Sequence, residues 1–214
     1  MKTFKIISNL LLLIAALFLG YSYVKKKGMF SEMHAPIRSP DRTLIDDMPE
    51  GEEVIRTFFE NLTNQDGKTI SSKDFMGKHM LVMFGFTSCR HICPAELSMA
   101  SQLLHQLGDD ANKLQVVFIT VDPTTDTVQR LKAYHSAFDS RIQMLTGDEE
   151  NIREVLRNYR VYAEKGAPGS SEEIDHSAHM YLINEDGRYV EHFTPQDYGS
   201  ISGLLDMVNR HFKS

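Results

Sequence analysis

The two cysteines of the chain, Cys89 and Cys93, lie four residues apart, and the 214-residue sequence contains no other. Thiolate sulfurs favour Cu(I), and a pair of thiols can also exchange with a disulfide on another protein. The segment from Phe84 to Pro94 that holds them therefore predicts a metal or redox site. A structural disulfide is the simpler alternative, but closing so short a loop contributes only about 2 kcal/mol, and a domain of this size does not need it.

Histidine is the natural source of a third ligand, and the sequence has nine. His91 lies between the cysteines, where it either tunes the thiols or points to solvent. His176 lies just before a predicted strand, in a loop that faces the cysteine turn in a thioredoxin-type fold, and His179 falls within that strand. We assign no role to the others, which are His34, His79, His105, His135, His192 and His211.

The elements that flank the cysteines place them at a strand-to-helix turn. The apolar run Met80–Phe84 predicts a buried strand, and an amphipathic helical pattern follows Pro94. Because proline is tolerated in the first turn of a helix, Pro94 places Cys93 near the N-cap and Cys89 in the preceding loop. The positive end of a helix dipole and the neighbouring Arg90 lower a thiol pKa, so we expect reactive thiolates.

Strands and helices alternate along the rest of the domain, which predicts an α/β fold of thioredoxin type. We expect a mixed sheet flanked by helices, with a peripheral hairpin at its N-terminal end. The predicted strands are Val54–Leu62, Lys68–Ile70, Leu114–Val121, Ile142–Leu145, His179–Ile183 and Arg188–Phe193. The predicted helices run from Asp126, paired with Gln129 as an N-cap, to Phe138, from Asp148 or Glu149 to Tyr159, and from the segment Thr194–Asp197 to Phe212.

The N-terminal segment predicts a membrane anchor. From Ile6 to Val24 the chain is nearly continuously apolar, and as a helix this stretch is about 28 Å long, which matches the hydrocarbon core of a bilayer. A cleaved signal peptide is the alternative, since Lys2 and Lys5 form a positive N-terminal region. The stretch Leu17–Tyr21 lacks the small-residue cleavage pattern, however, and we predict an uncleaved anchor over residues 1–24.

The remaining chain divides into a polar, proline-containing tether over residues 25–50 and a globular domain over residues 51–214. With a net charge of −6 the sequence offers no basic surface for nucleic acid. A thiol site suits a domain outside the cytoplasm, and no Arg- and Ser-rich transit peptide is evident. We therefore expect a single-pass protein of the bacterial inner membrane, with its soluble domain facing the periplasm.

Three motifs, in this order, resemble the Sco/SenC family, and the resemblance runs from about Val54 to the C-terminus. This family consists of thioredoxin-fold copper chaperones for the binuclear copper centre of cytochrome c oxidase, which bind copper through two cysteines and a histidine. The motifs are Gly85-Phe86-Thr87 with Cys89 and Ile92-Cys93-Pro94, Val121-Asp122-Pro123 with Asp126, and Asp175-His176-Ser177 with Tyr181-Leu182-Ile183 and Asp186-Gly187.

The resemblance implies a membrane-anchored copper metallochaperone, not an enzyme, with Cys89, Cys93 and His176 as ligands of Cu(I) and Cu(II). Its implied partners are the copper-accepting subunit of a respiratory oxidase and a copper donor or thioredoxin-like reductant. Two alternatives stay open, a thiol–disulfide oxidoreductase without a physiological metal and a thiol peroxidase. Zinc would accept the same ligands. Arg90 and His91 stand where the family commonly has proline and an acidic residue, which changes the surface offered to a partner.

Overall fold

The computed structural model describes residues 57–161, 163–164, 175–176, 179–194 and 200–212. These residues belong to one compact unit, Met48–Ser214. The predicted anchor and tether, residues 1–50, lie outside the described residues. Within the described part, no helix has both the length and the apolar character needed to cross a bilayer.

A mixed sheet forms the centre of the domain, as the sequence predicts. The described strands are β1 (Leu62–Asn64), β2 (Thr69–Ile70), β3 (His79–Gly85), β4 (Leu114–Thr120), β5 (Gln143–Thr146), β6 (Ala163–Glu164), β7 (Asp175–His176), β8 (Met180–Ile183) and β9 (Tyr189–Phe193). Seven of them form one sheet in the order β2-β1-β5-β4-β3-β8-β9, and β6 pairs with β7. The central strand β3 runs parallel to β4 and antiparallel to β8.

Helices cover both faces of this sheet. They are α1 (Ile92–Gln106), α2 (Val128–His135), α3 (Glu149–Tyr159) and α4 (Ile201–His211), with 3-10 segments at Ser72–Phe75 and Gly108–Lys113. The ring of Phe84 lies 5.1 Å from Tyr159 of α3, and the ring of Phe118 lies 6.4 Å from Tyr134 of α2. Since Phe84 aligns with Ile119 in the parallel ladder, Phe118 points to the opposite face. All seven residues of β3 are buried as a result.

The N-terminal hairpin is present, but of the described part of the predicted first strand, residues 57–62, only Leu62 belongs to a strand, and residues 54–56 lie outside the described residues. Strand β1 begins only at Leu62, because Asn61 adopts a positive φ of 57° that interrupts extended backbone. The hairpin is also part of the main sheet, since β1 pairs with β5.

The helix starts show where side-chain caps decide a boundary. Helix α3 begins where the sequence predicts, and the Asp148 carboxylate accepts a hydrogen bond of 2.8 Å from the backbone N–H of Asn151. The last described helix runs from Ile201, after Ser200 as N-cap, to His211. Most of its predicted start, the segment Thr194–Asp197, lies outside the described residues.

Candidate metal centre

The two cysteines lie where β3 passes into α1. Cys89 is half-buried in the loop, whereas Cys93 is 0% exposed as the second residue of the helix. The backbone N–H of Cys93 donates a hydrogen bond to Cys89 Sγ at 3.4 Å, and the N–H of Cys89 donates to the carbonyl of Phe86 at 3.2 Å. This arrangement, predicted from the sequence, brings both sulfurs to the beginning of one helix.

The exact start of α1 differs from the prediction. The helix begins at Ile92 after His91 as N-cap, so Pro94 is its third residue and not its first. All first-turn positions lack an intrahelical acceptor for their N–H, so proline fits at any of them. His91 makes no side-chain capping hydrogen bond, and both Arg90 and His91 are exposed to solvent.

Gly85, the last residue of β3, makes room for the buried sulfur. A Cβ atom at this position would lie 2.7 Å from Cys93 Sγ and 2.8 Å from Cε2 of Phe118, both closer than real Cβ contacts. Any larger residue would have to displace the sulfur or the ring. The glycine in the Gly85-Phe86-Thr87 motif is therefore a steric requirement of the cysteine site.

Burial raises the pKa of the Cys93 thiol well above its ordinary value. A hydrogen bond with Cys89 and the charges of Cys89 and Glu96 act in the same direction, and a backbone hydrogen bond with Phe86 opposes them. The expectation of reactive thiolates is therefore wrong for Cys93, because the desolvation of its sulfur outweighs the helix dipole. A metal ligand must be deprotonated, so Cys93 would release its proton when it binds a metal.

Two buried polar side chains near the cysteines were not singled out from the sequence. Glu96, one turn after Cys93, is 4% exposed, and its Oε1 has no hydrogen-bond partner among the described residues. Burial raises the pKa of Glu96 to about 8. The Tyr134 hydroxyl also lacks such a partner, and its pKa is raised by burial and then by the charges of Cys93 and Cys89. The sequence signal for Glu96 was its helical spacing, at i+4 and i+7, with the buried apolar residues Ala100 and Leu103.

The loop before Cys89 is anchored by Asp126, whose side chain is completely buried. Its carboxylate accepts hydrogen bonds from the Thr87 N–H at 2.9 Å, from the Thr87 hydroxyl at 2.5 Å and from the Thr120 hydroxyl at 2.7 Å. The prediction that Asp126 caps α2 is wrong, since Thr127 is the N-cap and accepts a hydrogen bond from the backbone N–H of Arg130.

Arg130 of α2 extends this anchor to the protein surface. Its Nε donates to the Thr87 hydroxyl at 2.6 Å, and its Nη2 donates to the Ser88 hydroxyl at 2.8 Å. The same guanidinium lies 3.7 Å from the Asp126 carboxylate. Asp122 occupies the turn after β4, where its carboxylate accepts a hydrogen bond from the Thr124 hydroxyl.

His176, the predicted third ligand, lies in the two-residue strand β7 and not in a loop. Its backbone pairs with Ala163 of β6, while its side chain lies outside the described part of the chain. His179 precedes β8 by one residue. Among the described residues, the structure brings the two cysteines together and contains no group of three ligands suited to a metal ion. The ligand role of His176 stays a prediction.

Comparisons with known proteins match the domain that carries the cysteines. The SCO1/SenC family profile matches residues 47–211. The chain is 36% identical to the mitochondrial SCO2 homologue of Danio rerio over 158 residues, which are 72% of this chain and 56% of that protein. The chain thus spans little more than half of that relative.

Solved structures with copper bound are similar to this fold. Bradyrhizobium japonicum ScoI with copper bound has a TM-score of 0.67 and 37% identity, and the match covers 73% of this chain and 99% of that one. Yeast Sco1 with copper bound has a TM-score of 0.67 and 32% identity, with 75% and 89% covered.

Proposed function

This chain belongs to the SCO1/SenC family, and from that membership we propose that it is a membrane-anchored chaperone that delivers copper to a cytochrome c oxidase subunit. Cys89, Cys93 and His176 bind the copper, and the binuclear copper site of the oxidase subunit accepts it. Residues 1–24 form a single-pass anchor in the bacterial inner membrane, and residues 25–50 tether the domain, 51–214, on the periplasmic side.

The observation that carries this proposal is the pairing of two cysteines four residues apart, one in the loop before α1 and one in the first turn of α1. They are joined by the 3.4 Å contact from the Cys93 N–H to Cys89 Sγ. Two thiolates suit Cu(I), and an added imidazole nitrogen suits Cu(II) as well, so one site can hold copper through a change of valence. The similarity to two Sco proteins solved with copper bound supports the same donor chemistry here.

The unequal burial of the two sulfurs orders the steps of copper uptake. Cys89 is half-buried and contacts incoming copper first, whereas Cys93 is fully buried and follows with loss of its proton. Release to the acceptor begins on the same exposed side: a thiolate of the partner binds the copper and replaces Cys89, and Cys93 leaves last and regains its proton. The network of Asp126, Thr87 and Arg130 keeps the Cys89 loop in place during the exchange.

The same asymmetry favours a second candidate, a thiol–disulfide oxidoreductase that reduces cysteines of the acceptor. In this reaction the accessible Cys89 attacks a disulfide of the partner, forms a mixed disulfide and releases one partner thiol. Cys93 then loses its proton and attacks Cys89, which closes the Cys89–Cys93 disulfide and releases the second thiol. The partner gains two electrons and the chain loses two, so metal-free chain could prepare the acceptor for copper.

Transfer to a purified copper-accepting oxidase domain tests the proposal. Chain loaded with one copper should give up its metal to an acceptor whose cysteines are reduced, and metal analysis after the two proteins are separated should find the copper on the acceptor. The matched control is chain with Cys89→Ser and Cys93→Ser, mixed with the same amount of copper. Equal transfer by both proteins would refute delivery, and reduction of an oxidised acceptor without metal transfer would support the oxidoreductase.

A further inference from the structure

We propose that His179 and His192 form a second metal site, which binds a divalent transition metal such as Cu²⁺ through two imidazole nitrogens. His192 belongs to β9, and His179 immediately precedes β8. The site does not depend on the proposed copper delivery, because it uses none of the predicted copper ligands.

The spacing of the two rings fits a shared metal ion. Their centroids lie 5.1 Å apart, and the ring planes are inclined by 72°. Two imidazoles that bind one ion through Nε2, at about 2.0–2.1 Å each, place their centroids roughly 5 Å apart when the angle at the metal is near tetrahedral. The centroid separation therefore matches the one expected for two imidazoles that share one metal ion.

Both rings also have the hydroxyl partners that orient metal-binding histidines. Nδ1 of His179 lies 2.9 Å from Oγ1 of Thr194, and Nδ1 of His192 lies 2.7 Å from the Tyr189 hydroxyl. A ligating histidine typically donates its other ring N–H to an oxygen, which fixes the tautomer and the ring orientation. With Nδ1 donating to these hydroxyls, Nε2 is the nitrogen that binds the metal.

The hairpin of β8 and β9 holds the two histidines in register. Tyr181 pairs with His192, and Met180 pairs with Phe193, so His179 lies beside Thr194 at one end of the hairpin. Strand β9 is at the edge of the sheet, and both rings are half-buried. A metal ion can reach this position from solvent without unfolding the core.

The pair is separate from the cysteine centre. The ring of Tyr181 lies 6.1 Å from His179 and 5.9 Å from Phe84, which places the histidines on the Phe84 face of the sheet. The next residue, Gly85, faces the other side of the sheet, where a Cβ added to it would lie 2.7 Å from Cys93 Sγ. The sheet therefore lies between the two sites.

The donor set selects the metal. Neutral imidazoles suit Cu²⁺, Zn²⁺ and Ni²⁺, with Cu²⁺ bound most tightly, whereas the sulfurs of the cysteine site suit Cu(I). Among the described residues no third His, Cys, Asp or Glu joins the pair. A site with two protein ligands and exchangeable water would hold its metal reversibly.

The test is a titration of Cu²⁺ alone into full chain that carries Cys89→Ser, Cys93→Ser and His176→Ala, which removes the predicted copper ligands. One Cu²⁺ per chain should bind, with electron paramagnetic resonance showing two nitrogen donors. Adding either His179→Gln or His192→Gln should weaken binding at least 10-fold. Adding Tyr189→Phe, which removes the hydroxyl partner of His192, should weaken it about 10-fold.

The matched control is His105→Gln on the exposed side of α1, which should leave binding unchanged. Cu²⁺ affinity that is undiminished when both His179→Gln and His192→Gln are added would overturn the proposal. So would a loss of affinity in the His105→Gln chain as large as the loss in the His179→Gln and His192→Gln chains. Should the glutamine variants fail to fold, the imidazole ¹⁵N resonances of unsubstituted chain decide the question with Zn²⁺ as the probe. Shifts at Nε2 of both His179 and His192 support the site, and unchanged resonances contradict it.

Discussion

The Asp126 carboxylate binds Thr87, 39 residues earlier in the chain, through both the backbone N–H and the side-chain hydroxyl of that residue. Thr87 lies two residues before Cys89, so this contact connects the turn after β4 to the loop that presents the accessible sulfur. A third donor, the Thr120 hydroxyl, lies 2.7 Å from the same carboxylate. The position of Cys89 therefore depends on a residue that is remote in sequence.

Replacing Asp126 with alanine should destabilise the reduced, metal-free protein by about 2–4 kcal/mol, because the donors of Thr87 and Thr120 then lose their buried acceptor. Urea unfolding measures the loss. Asp66→Ala is the control, since Asp66 forms an exposed ion pair with Lys132 that contributes about 0–1 kcal/mol. Equal losses in the two variants would show that the buried network does not hold the loop.

Glu96 should make stability fall as the pH rises. Its pKa in the folded protein is raised from 4.5 to about 8, so between these values the folded state holds a proton that the unfolded state has released. The stabilisation is complete below pH 4.5 and is lost as the pH approaches 8, by at most about 1.4 kcal/mol per pH unit.

Glu96→Gln should remove this contribution, because the amide does not titrate. Urea unfolding midpoints of both proteins at pH 5, 6, 7 and 8 give the difference in stability between them. Taking the difference cancels the contributions of other titrating groups, such as His79, because both proteins contain them. Burial lowers the pKa of His79, so its contribution has the opposite pH dependence. The difference in stability should grow in favour of the variant with rising pH. Parallel profiles would mean that Glu96 is ionised in the folded protein throughout this range.

Gly85→Ala should weaken copper binding, since the added Cβ would lie 2.7 Å from Cys93 Sγ and displace the sulfur. The variant should also lose about 1–3 kcal/mol of stability through overpacking. Gly147→Ala provides a matched control, because its Cβ would lie 2.9 Å from Leu62 Cδ2. Both variants should lose stability in urea, but only Gly85→Ala should lose copper affinity. Full affinity in Gly85→Ala would show that the site tolerates movement of Cys93.

Local patterns were sufficient to predict the elements around the cysteines. The apolar run Met80–Phe84 predicted β3, because a central strand in a mixed sheet has no polar face. Asp148 predicted the start of α3, since an N-cap interacts only with residues in its own first turn. Pro94 predicted the α1 start less accurately, because proline fits several positions in a first turn.

Tertiary contacts were responsible for what the sequence could not predict. Asp126 matched a capping pattern, but its donors come from strand β4 and from the loop after β3, which no local pattern connects to it. The helix-dipole argument for a reactive Cys93 was sound locally and failed because packing around Gly85 and Phe118 removes the sulfur from water. The burial of Glu96 and the contact between the rings of His179 and His192 could not be predicted either, because both depend on which faces of the helices and strands pack together.

Copper binding to the reduced chain tests the central claim most directly. The stoichiometry and affinity of Cu(I) binding are measured against a competing chelator for three proteins: the unsubstituted chain, Cys89→Ser/Cys93→Ser and His176→Ala. The affinity for Cu(II) is measured for the unsubstituted chain and for His176→Ala. We predict one tightly held Cu(I) per chain, its loss without the cysteines, and Cu(II) binding weakened at least 10-fold without His176. Weak Cu(I) binding that is the same in all three proteins would contradict a copper chaperone, and rapid disulfide exchange in the same samples would identify the oxidoreductase.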